Sequence, residues 1–434
     1  MKLFPHQEVA RDFFLTKKRC ILADAPRVGK TAPTAAAALH NLPVLVVCPA
    51  VAKYVWAKAF AQLGHTATVI SGKAAAAKLA PTPGMIAVIN YDILYQMQAH
   101  EGWGTMVLDE VHRIKTPHRV EKVRDKKTGK WKTKETGMRT KAAISIMKKT
   151  PHVYALSGTL IPNRPIEIWP ILHGLGIYKR SWMEFACRYA KAWQSPWGLD
   201  VSGASNIPEL REKLKPWVLR RKRADVFTNY QQPVVSLVEL DLPVDKREKQ
   251  FDADSISDLA ANSPDVVLAL EGISEIMREA GELKAPHAAE FIRSKIEQEP
   301  DEPLVVFAWH KSVVQILSDA LNESPKIPHL TVTGATSANA KQAAIESFQA
   351  GKIQVIIGNV SSMSEGVDLS RSSTVIFAES TWATSALEQA SARVENVTKQ
   401  SCAPSIYILT IRTSLDSIIL SKVLKKMNVI DQIL

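Results

Sequence analysis

The chain has 434 residues, enough for two or three domains with separate cores, and its hydrophobic (46%) and charged (23%) fractions are ordinary for a globular protein. Its four cysteines have neither metal-site nor disulfide-framework spacing, and no apolar run could span a bilayer, so we expect reduced thiols and no membrane partner. The net charge of +12 indicates a polyanionic partner.

A phosphate-binding loop is predicted near the start of the chain. An apolar run, Cys20–Ala23, leads into a tight turn ending in Gly29, Lys30 and Thr31, and an alanine-rich helical tract follows. Backbone N–H groups of such a loop bind the phosphates of a nucleotide, aided by the positive end of the helix. Lys30 is expected to contact the β- and γ-phosphates, and the Thr31 hydroxyl to bind Mg²⁺. Because the full motif has a glycine where this chain has Asp24, an ordinary Gly-Lys turn after a strand stays open as an alternative.

A pair of carboxylates follows a second apolar run. Met106–Leu108 has the continuous apolar character of a buried parallel strand, and Asp109 and Glu110 come directly after it. Ligand chemistry gathers at the carboxyl ends of such strands. Asp109 is therefore expected to hold Mg²⁺, and Glu110 to orient and activate the water that attacks the γ-phosphate. A solvated Asp-Glu pair at a strand end is the alternative.

Apolar runs alternate with helical stretches along the chain, which predicts right-handed βαβ units and parallel sheets. The first series of runs is Cys20–Ala23, Val44–Cys48, Met85–Asn90, Met106–Leu108 and Val153–Leu156. The second series is Leu304–Ala308, Leu330–Val332, Gln354–Ile357, Thr374–Phe377 and Ile406–Ile411. The predicted fold class is therefore α/β, with two parallel-sheet lobes in tandem and a helical region inserted between them.

The inserted region supplies the predicted domain boundary. Its helical stretches are Trp182–Trp193, Ile207–Val218, Ser255–Leu270 and Ala285–Gln298. A polar break at Asn229–Pro233 precedes Val234–Leu240, which has the pattern of a strand of the second lobe. The predicted domains are a first lobe at 1–228, including a helical extension at about 165–228, and a second lobe at 229–434.

The positive charge is concentrated in one segment. Residues 113–141 contain twelve Lys and Arg against three acids, a surplus of nine within the chain's net +12. Within this run, Lys127–Trp131 has the composition of a hairpin turn with an aromatic tip. Because like charges repel and require a counter-anion, we interpret the run as a DNA contact, with a solvated loop as the alternative. The candidate contacts are Lys126, Lys127, Lys130 and Lys132.

These motifs resemble the Swi/Snf family of superfamily-two nucleic-acid motors, and particularly its annealing-helicase (HARP-like) branch. The resemblance covers nearly the whole chain. Pro5–Gln7 is similar to the family's adenine-reading segment, with Gln7 as the reader. Asp109–His112 matches its acidic box, and Ser157–Pro165 resembles its coupling motif. The ATP-binding residues that the resemblance implies in the first lobe are Gln7, Asp24, Ala25, Pro26, Arg27, Val28, Gly29, Lys30 and Thr31.

Two further segments resemble parts of the motor that contact DNA or couple the lobes. Phe307–His310 is similar to a motif that grips the DNA backbone, which implies DNA contacts by Trp309 and His310. Packing in a core is the alternative for Trp309. Leu219–Val226 resembles a block of the annealing-helicase branch. Its arginines are interpreted either as a solvated helix face or as coupling or DNA-contacting residues: Arg220, Arg221 and Arg223.

The remaining second-lobe motifs are similar to those that close on the nucleotide. They are Gly366–Leu369 and Gln389–Lys399. The resemblance implies ATP contacts by Gly366, Asp368 and Gln389, and a catalytic role at the γ-phosphate for Arg393. The chain departs from the family's pattern at Asp368, which is usually asparagine, and at Asn396, which is usually a second arginine.

The resemblance implies a DNA-stimulated ATPase that uses ATP and Mg²⁺, translocates on duplex or branched DNA without sequence specificity, and remodels or anneals strands. ATP would lie between two RecA-like lobes, whose closure and opening would move the DNA. Two alternatives stay open: an RNA-dependent ATPase of the same superfamily, and a nucleic-acid clamp that binds ATP but barely hydrolyses it. We expect a monomer. The lack of obvious appended domains predicts the cytoplasm of a bacterium, or of a bacterium infected by a virus.

Overall fold

Two α/β units make up the protein in the computed structural model. The structure describes residues 2–115, 117, 119–124, 131–158, 160–161, 164–195, 198–227, 231, 233–243, 266–363, 367–379, 390, 392–394, 403–418 and 420. The first unit contains the residues up to 192 and 201–226, and the second contains 193–200 and the described residues from 227 onward. The division into folding domains at 228 and 229 stays a sequence prediction.

The first half of the chain follows the predicted alternation of strands and helices. Its strands are β1 (Arg19–Leu22), β2 (Val44–Cys48), β3 (Thr68–Val69), β4 (Ile86–Asn90), β5 (Thr105–Leu108), β6 (Arg119–Arg124), β7 (Trp131–Thr136), β8 (His152–Leu156), β9 (Trp193–Ser195), β10 (Gly198–Asp200) and β11 (Val218–Leu219). Its helices are α1 (Pro5–Lys17), α2 (Thr31–Ala38), α3 (Lys53–Gln62), α4 (Lys73–Lys78), α5 (Tyr91–Leu94), α6 (Met138–Lys149), α7 (Trp169–Leu175), α8 (Trp182–Tyr189) and α9 (Ile207–Leu214). Each apolar run of the first predicted series coincides with a strand to within one residue at either end.

Seven strands form one parallel sheet in the first unit, in the order β11-β1-β8-β5-β2-β4-β3. β2, β4 and β5 are buried along their whole length, as parallel strands covered on both faces are. Side chains of the sheet pack against Phe14 of α1 and against Trp56 and Phe60 of α3. β6 and β7 pair separately as antiparallel strands within the basic run, with Arg124 opposite Trp131, and residues 127–130 of the predicted turn lie outside the described residues.

Two helices before the second unit are shorter than predicted. α8 ends at Tyr189 instead of Trp193, and Trp193 begins β9, which pairs with β10. α9 ends at Leu214 instead of Val218, because Pro216 has no backbone N–H with which to continue the helical hydrogen bonds. Val218 begins β11, which is an edge strand of the first sheet.

The second half of the chain forms another parallel α/β unit. Its strands are β12 (Val234–Leu240), β13 (Leu304–Ala308), β14 (His329–Val332), β15 (Val355–Asn359), β16 (Thr374–Phe377) and β17 (Ser405–Ile411). Its helices are α10 (Val266–Gln298), α11 (Lys311–Asn322), α12 (Ala338–Gln349) and α13 (Val360–Met363). The six strands are parallel, in the order β12-β17-β16-β13-β15-β14.

Both faces of the second sheet are covered by helices. Phe307 and Phe377 on one face belong to a core cluster with Phe348 of α12. Val306 on the other face packs with Ile292 of α10. β12 pairs with β17 along its whole length, which confirms the predicted strand after the polar break. The protein therefore has the predicted α/β class, with two RecA-like parallel-sheet lobes.

Candidate functional site

The carboxyl edge of the first sheet brings the predicted loop and the acidic pair together. β1, β8 and β5 are neighbours in the sheet and run parallel. Asp24, Ser157 and Asp109 come just after the last residues of these strands, so all three lie at one edge. Ligand sites of open parallel sheets form at this edge.

The phosphate loop, residues 24–31, turns between β1 and α2 with two residues at positive φ. These are Arg27 at +66° and Gly29 at +89°, and such residues let successive N–H groups face one anion. The Gln7 amide nitrogen donates to the Gly29 carbonyl over 3.1 Å, and its amide oxygen accepts from the Phe4 N–H over 3.0 Å. Gly29 suits this position because a side chain is strained at φ +89°, and a Cβ there would lie 2.6 Å from that nitrogen, so the Gln7 side chain would have to shift. The predicted adenine reader therefore contacts the phosphate loop.

Lys30 lies against the loop's own main chain. Its ammonium donates to the carbonyl oxygens of Asp24 (2.8 Å) and Ala25 (3.2 Å). Burial lowers the pKa of Lys30, and the negative charges of Glu110, Asp24 and Asp109 oppose that shift. The structure thus brings the predicted lysine and both predicted carboxylates within range of one another's charge.

Asp109 is held at the end of β5 by the indole of Trp56, whose Nε1 donates to Oδ2 over 2.8 Å. Burial, reinforced by the charge of Glu110, raises the pKa of Asp109 to about 6, although the Trp56 hydrogen bond and Lys30 oppose the shift. A carboxylate that is costly to ionise gains most from a nearby cation. Mg²⁺ prefers oxygen ligands and keeps several waters. Asp109, with the Thr31 hydroxyl at the start of α2, therefore fits the donor set that Mg²⁺ needs.

Glu110 has a left-handed backbone conformation, with φ 50° and ψ 55°. The Ser157 hydroxyl donates to its Oε2 over 3.4 Å, and His112 Nδ1 lies 3.3 Å from the same oxygen. His112 Nδ1 and Ser157 Oγ are themselves 2.9 Å apart. The acidic box and the start of the coupling motif therefore contact each other around the predicted catalytic carboxylate.

Sequence analysis missed the partners of Asp24, Pro26 and Asp109. The Arg221 guanidinium pairs with the Asp24 carboxylate, and Arg223 Nε donates to the Pro26 carbonyl over 2.9 Å. The alternative that Arg221 and Arg223 form a solvated helix face is wrong, because the Arg221 side chain is 15% exposed and Arg223 is only 9% exposed. The apolar pair before them, which forms β11, was the available signal that this block joins the sheet.

Asp368 and Arg393 of the second unit lie in segments that contact each other. The N–H of Leu369 donates to the Arg393 carbonyl over 3.2 Å. Asp368 is exposed, and its Oδ1 accepts from the Ser370 N–H over 3.2 Å. The predicted roles of these two residues at a nucleotide stay predictions.

Trp309 and His310, the predicted DNA contacts, are fixed by a buried carboxylate. Glu379 is 5% exposed and accepts from the N–H groups of Trp309 (2.6 Å) and His310 (2.9 Å). The His310 ring nitrogen Nδ1 lies 2.6 Å from the same carboxyl group. The Trp309 side chain stays 45% exposed, so packing in a core does not account for it.

Several predicted residues lie outside the described residues. They are Lys126, Lys127, Lys130, Gly366, Gln389 and Asn396. Lys132 belongs to β7 by its backbone. Among the described residues, no helix combines the length and apolar character needed to cross a membrane. The same residues contain no cluster of three or more His, Cys, Asp or Glu that could hold a metal ion.

The parallel sheets, the phosphate loop and the acidic pair define an ATPase of the helicase-like class. A family model of the SNF2-related domain matches residues 8–265, and a model of the helicase conserved C-terminal domain matches residues 287–396. Since the first match covers more than half of the chain, the protein belongs to the SNF2-related family.

Individual relatives agree with the predicted branch of this family. The chain is 26% identical over 446 residues to the SWI/SNF-related matrix-associated actin-dependent regulator of chromatin subfamily A-like protein 1 of Xenopus laevis, covering 99% of this chain and 44% of that protein. It is 23% identical over 442 residues to the DNA annealing helicase and endonuclease ZRANB3 of Homo sapiens, covering 96% and 39%. The chain thus spans less than half the length of these two curated relatives.

A solved structure, the Sulfolobus solfataricus SWI2/SNF2 ATPase core in complex with dsDNA, is similar with a TM-score of 0.45 and 18% identity, covering 96% of this chain and 89% of that chain.

The predicted location in a bacterial or virus-infected bacterial cytoplasm is wrong. Eight curated relatives come from frogs, cattle, mouse, human, a nematode and a fly, and their names refer to chromatin or to DNA annealing.

Proposed function

We propose that this protein is a DNA-stimulated ATPase that hydrolyses ATP at the carboxyl edge of the first sheet, translocates on DNA and remodels or anneals strands. The convergence of Lys30, Asp109 and Glu110 beside the phosphate loop is the observation that carries the proposal. Relatives whose names describe chromatin regulation and DNA annealing support DNA as the partner. We propose that the protein acts as a monomer.

The side chains at this edge have separate tasks. Bound Mg²⁺ would neutralise charge that develops on the phosphates. Lys30 exchanges carbonyl partners for phosphate oxygens, and Trp56 fixes the Asp109 carboxylate for the metal. Glu110 orients the attacking water and accepts its proton, while Ser157 and His112 hold the Glu110 carboxylate in place.

DNA is proposed to bind through the basic hairpin β6–β7 and through Trp309 and His310. The basic run carries most of the chain's surplus charge, and phosphate contacts supply most of the non-specific affinity of proteins for DNA. The exposed Trp309 indole offers a surface on which a base can stack. The roles of Asp368 and Arg393 at the nucleotide rest on the resemblance alone.

Steady-state phosphate release, measured with duplex DNA, with duplex RNA and without nucleic acid, tests this function. We expect stimulation by DNA and a larger effect of DNA than of RNA. Glu110→Gln is the control, because it keeps the shape of the side chain and should bind ATP without turning it over. Equal or greater stimulation by RNA would favour the RNA-dependent alternative. Negligible turnover with any nucleic acid would favour an ATP-binding clamp, and wild-type turnover by Glu110→Gln would contradict the assigned site.

The salt dependence of DNA binding tests the basic hairpin separately. The variant with Lys126, Lys127, Lys130 and Lys132 all replaced by alanine should show a lower slope of log affinity against log salt, by about 0.9 for each lost phosphate contact. Its phosphate release without DNA should stay at the wild-type rate. An unchanged slope would return this segment to the solvated-loop alternative.

A further inference from the structure

The segment that leads from the first unit into the second runs alongside the phosphate loop. β11 pairs in parallel with β1, and the pairing continues past both strands. The N–H of Ala23 donates to the Leu219 carbonyl over 2.8 Å, and the N–H of Ala25 donates to the Arg221 carbonyl over 3.0 Å. The main chain at the start of the loop is therefore bound to a segment much later in the sequence.

Arg221 adds a charged attachment to this main-chain pairing. Its Nε donates to Asp24 Oδ1 over 3.0 Å and its Nη2 donates to Oδ2, across 197 residues of sequence. A third guanidinium nitrogen donates to the carbonyl of His6 in α1. Asp24 is 1% exposed, so this bidentate pair is shielded from solvent. One arginine thus joins the loop to the helix that carries Gln7.

Arg223 makes the last attachment, two residues further along. Its Nε donates to the Pro26 carbonyl over 2.9 Å, at the residue before the positive-φ Arg27. Arg223 is 9% exposed, and its positive charge contributes to lowering the pKa of Lys30. The two arginines therefore hold the loop at Asp24 and at Pro26, on either side of Ala25.

The position of Lys30 shows why these attachments bear on nucleotide binding. Its ammonium already contacts the main-chain carbonyl of Asp24, and the Asp24 carboxylate also acts on its charge. Asp24 is thus shared between two cations, Arg221 at the carboxylate and Lys30 at the carbonyl. If Arg221 were absent, Lys30 could take its place at the buried carboxylate, because a buried charge without a partner is strongly unfavourable. Lys30 would then be withdrawn from phosphate.

We propose that Arg221 and Arg223 are positioning residues that hold the phosphate loop open for nucleotide and keep Lys30 available for phosphate. They belong to the last residues of the first unit, and the chain continues into the second unit at residue 227. Nucleotide affinity therefore depends on the conformation of the segment that joins the units. This inference rests on the proposed use of the loop for ATP.

Binding of a fluorescent, non-hydrolysable ATP analogue to full-length variants tests the inference. Arg221→Gln should weaken binding about tenfold, the size of a typical coupling between contacting side chains. Lys222→Ala is the matched control, because Lys222 lies between the two arginines and is exposed, so its variant should bind as wild type does. Arg223→Gln should weaken binding by a smaller factor, because Arg223 donates to a neutral carbonyl of the loop, whereas Arg221 pairs with a buried carboxylate.

The decisive variant is the double substitution Asp24→Asn with Arg221→Gln. Without the Asp24 carboxylate, Lys30 loses the anion that lies beside its present carbonyl partner, so the double variant should regain most of the affinity that Arg221→Gln loses. A merely structural arginine would give additive or greater losses, and that outcome would overturn the inference, as would Arg221→Gln binding like Lys222→Ala. If Arg221→Gln does not fold, Arg221→Lys keeps the charge but loses the bidentate geometry, so it should weaken binding by less than tenfold, whereas a loss of tenfold or more would contradict a charge-based role. A wild-type protein that binds the analogue but releases no phosphate with DNA would contradict the proposed function and leave this comparison valid.

Discussion

Arg19 and Arg221 lie at opposite edges of the first sheet and use the same guanidinium differently. Arg19 begins β1 at the amino edge and donates to four main-chain carbonyls that end α6 and α7 or follow them, at 2.5 to 3.0 Å: Met147, Thr150, Gly174 and Leu175. Arg221 follows β11 at the carboxyl edge and pairs with the carboxylate of Asp24. Arg19 donates to the unpaired carbonyls at the ends of two helices, whereas Arg221 holds a loop that is expected to bind a ligand.

The difference shows how this unit separates stability from function. At the amino edge, the charged guanidinium of Arg19 donates to neutral main-chain carbonyls. At the carboxyl edge charges of both signs are crowded together, so burial raises the pKa of Asp109 and lowers that of Lys30. Groups whose charged forms are unfavourable in the fold alone gain from a ligand of the opposite charge. We therefore expect variants at the two edges to have opposite effects.

Lys30→Ala at the carboxyl edge should give the largest effect. Loss of a charged donor to the transferred phosphate should lower the rate of phosphate release by roughly 10²–10³-fold or more. The melting temperature should not fall, because a buried ammonium with a lowered pKa is removed. Lys58→Ala, at an exposed position of α3, is the control for loss of a positive charge. If Lys30→Ala lost stability as well as activity, the proposed difference between the two edges of the sheet would be contradicted.

Arg19→Ala at the amino edge should give the reverse pattern. Leaving several partly buried carbonyls without a donor should lower the free energy of unfolding by about 2–4 kcal/mol. Phosphate release per folded molecule should stay at the wild-type rate, because the carbonyls to which Arg19 donates belong to residues outside the predicted site. Urea denaturation and activity below the transition measure the two quantities, with Lys17→Ala as an exposed control. Lost turnover in the folded variant would show that the edges are coupled.

Asp109→Asn should give the smallest change in stability, and a stabilising one. The folded-state pKa of about 6 lies above the ordinary value of 3.8, so the group favours the folded state most at low pH and loses that contribution as pH rises past 6. Wild type and variant should be equally stable near pH 4. At pH 8 without Mg²⁺ the variant should be more stable by about 1–3 kcal/mol, as measured by urea denaturation. A less stable variant at pH 8 would mean that Asp109 is stabilised by its partners.

Local sequence patterns were enough to predict the strands of the first sheet and the phosphate loop of the site. Continuous apolar runs mark β2 and β5 because buried parallel strands need them, and Gly29 and Lys30 mark the loop between a strand and a helix. Non-local partners were not predictable. Asp24 and Arg221 are 197 residues apart, and the Trp56 indole reaches Asp109 across 53 residues, so no local pattern links either pair.

The end of α8 was also beyond local reasoning. The tract at α8 was predicted to continue to Trp193, but α8 stops at Tyr189 and Lys191 has a positive φ of 48°. Trp193 instead pairs with Asp200 across a hairpin, and its side chain is 55% exposed. Pairing between strands is decided by the partner strand, and helical periodicity does not contain that information.

The left-handed backbone of Glu110 has a consequence for how this sequence can change over evolutionary time. A glutamate with φ 50° carries a conformational cost of about 1–2 kcal/mol that glycine or asparagine would largely avoid. Where the carboxylate is not needed, selection for stability would favour one of those residues, each of which abolishes the carboxylate. Descendants of this chain that no longer need hydrolysis should lose Glu110 early, and their loss should make the fold more stable.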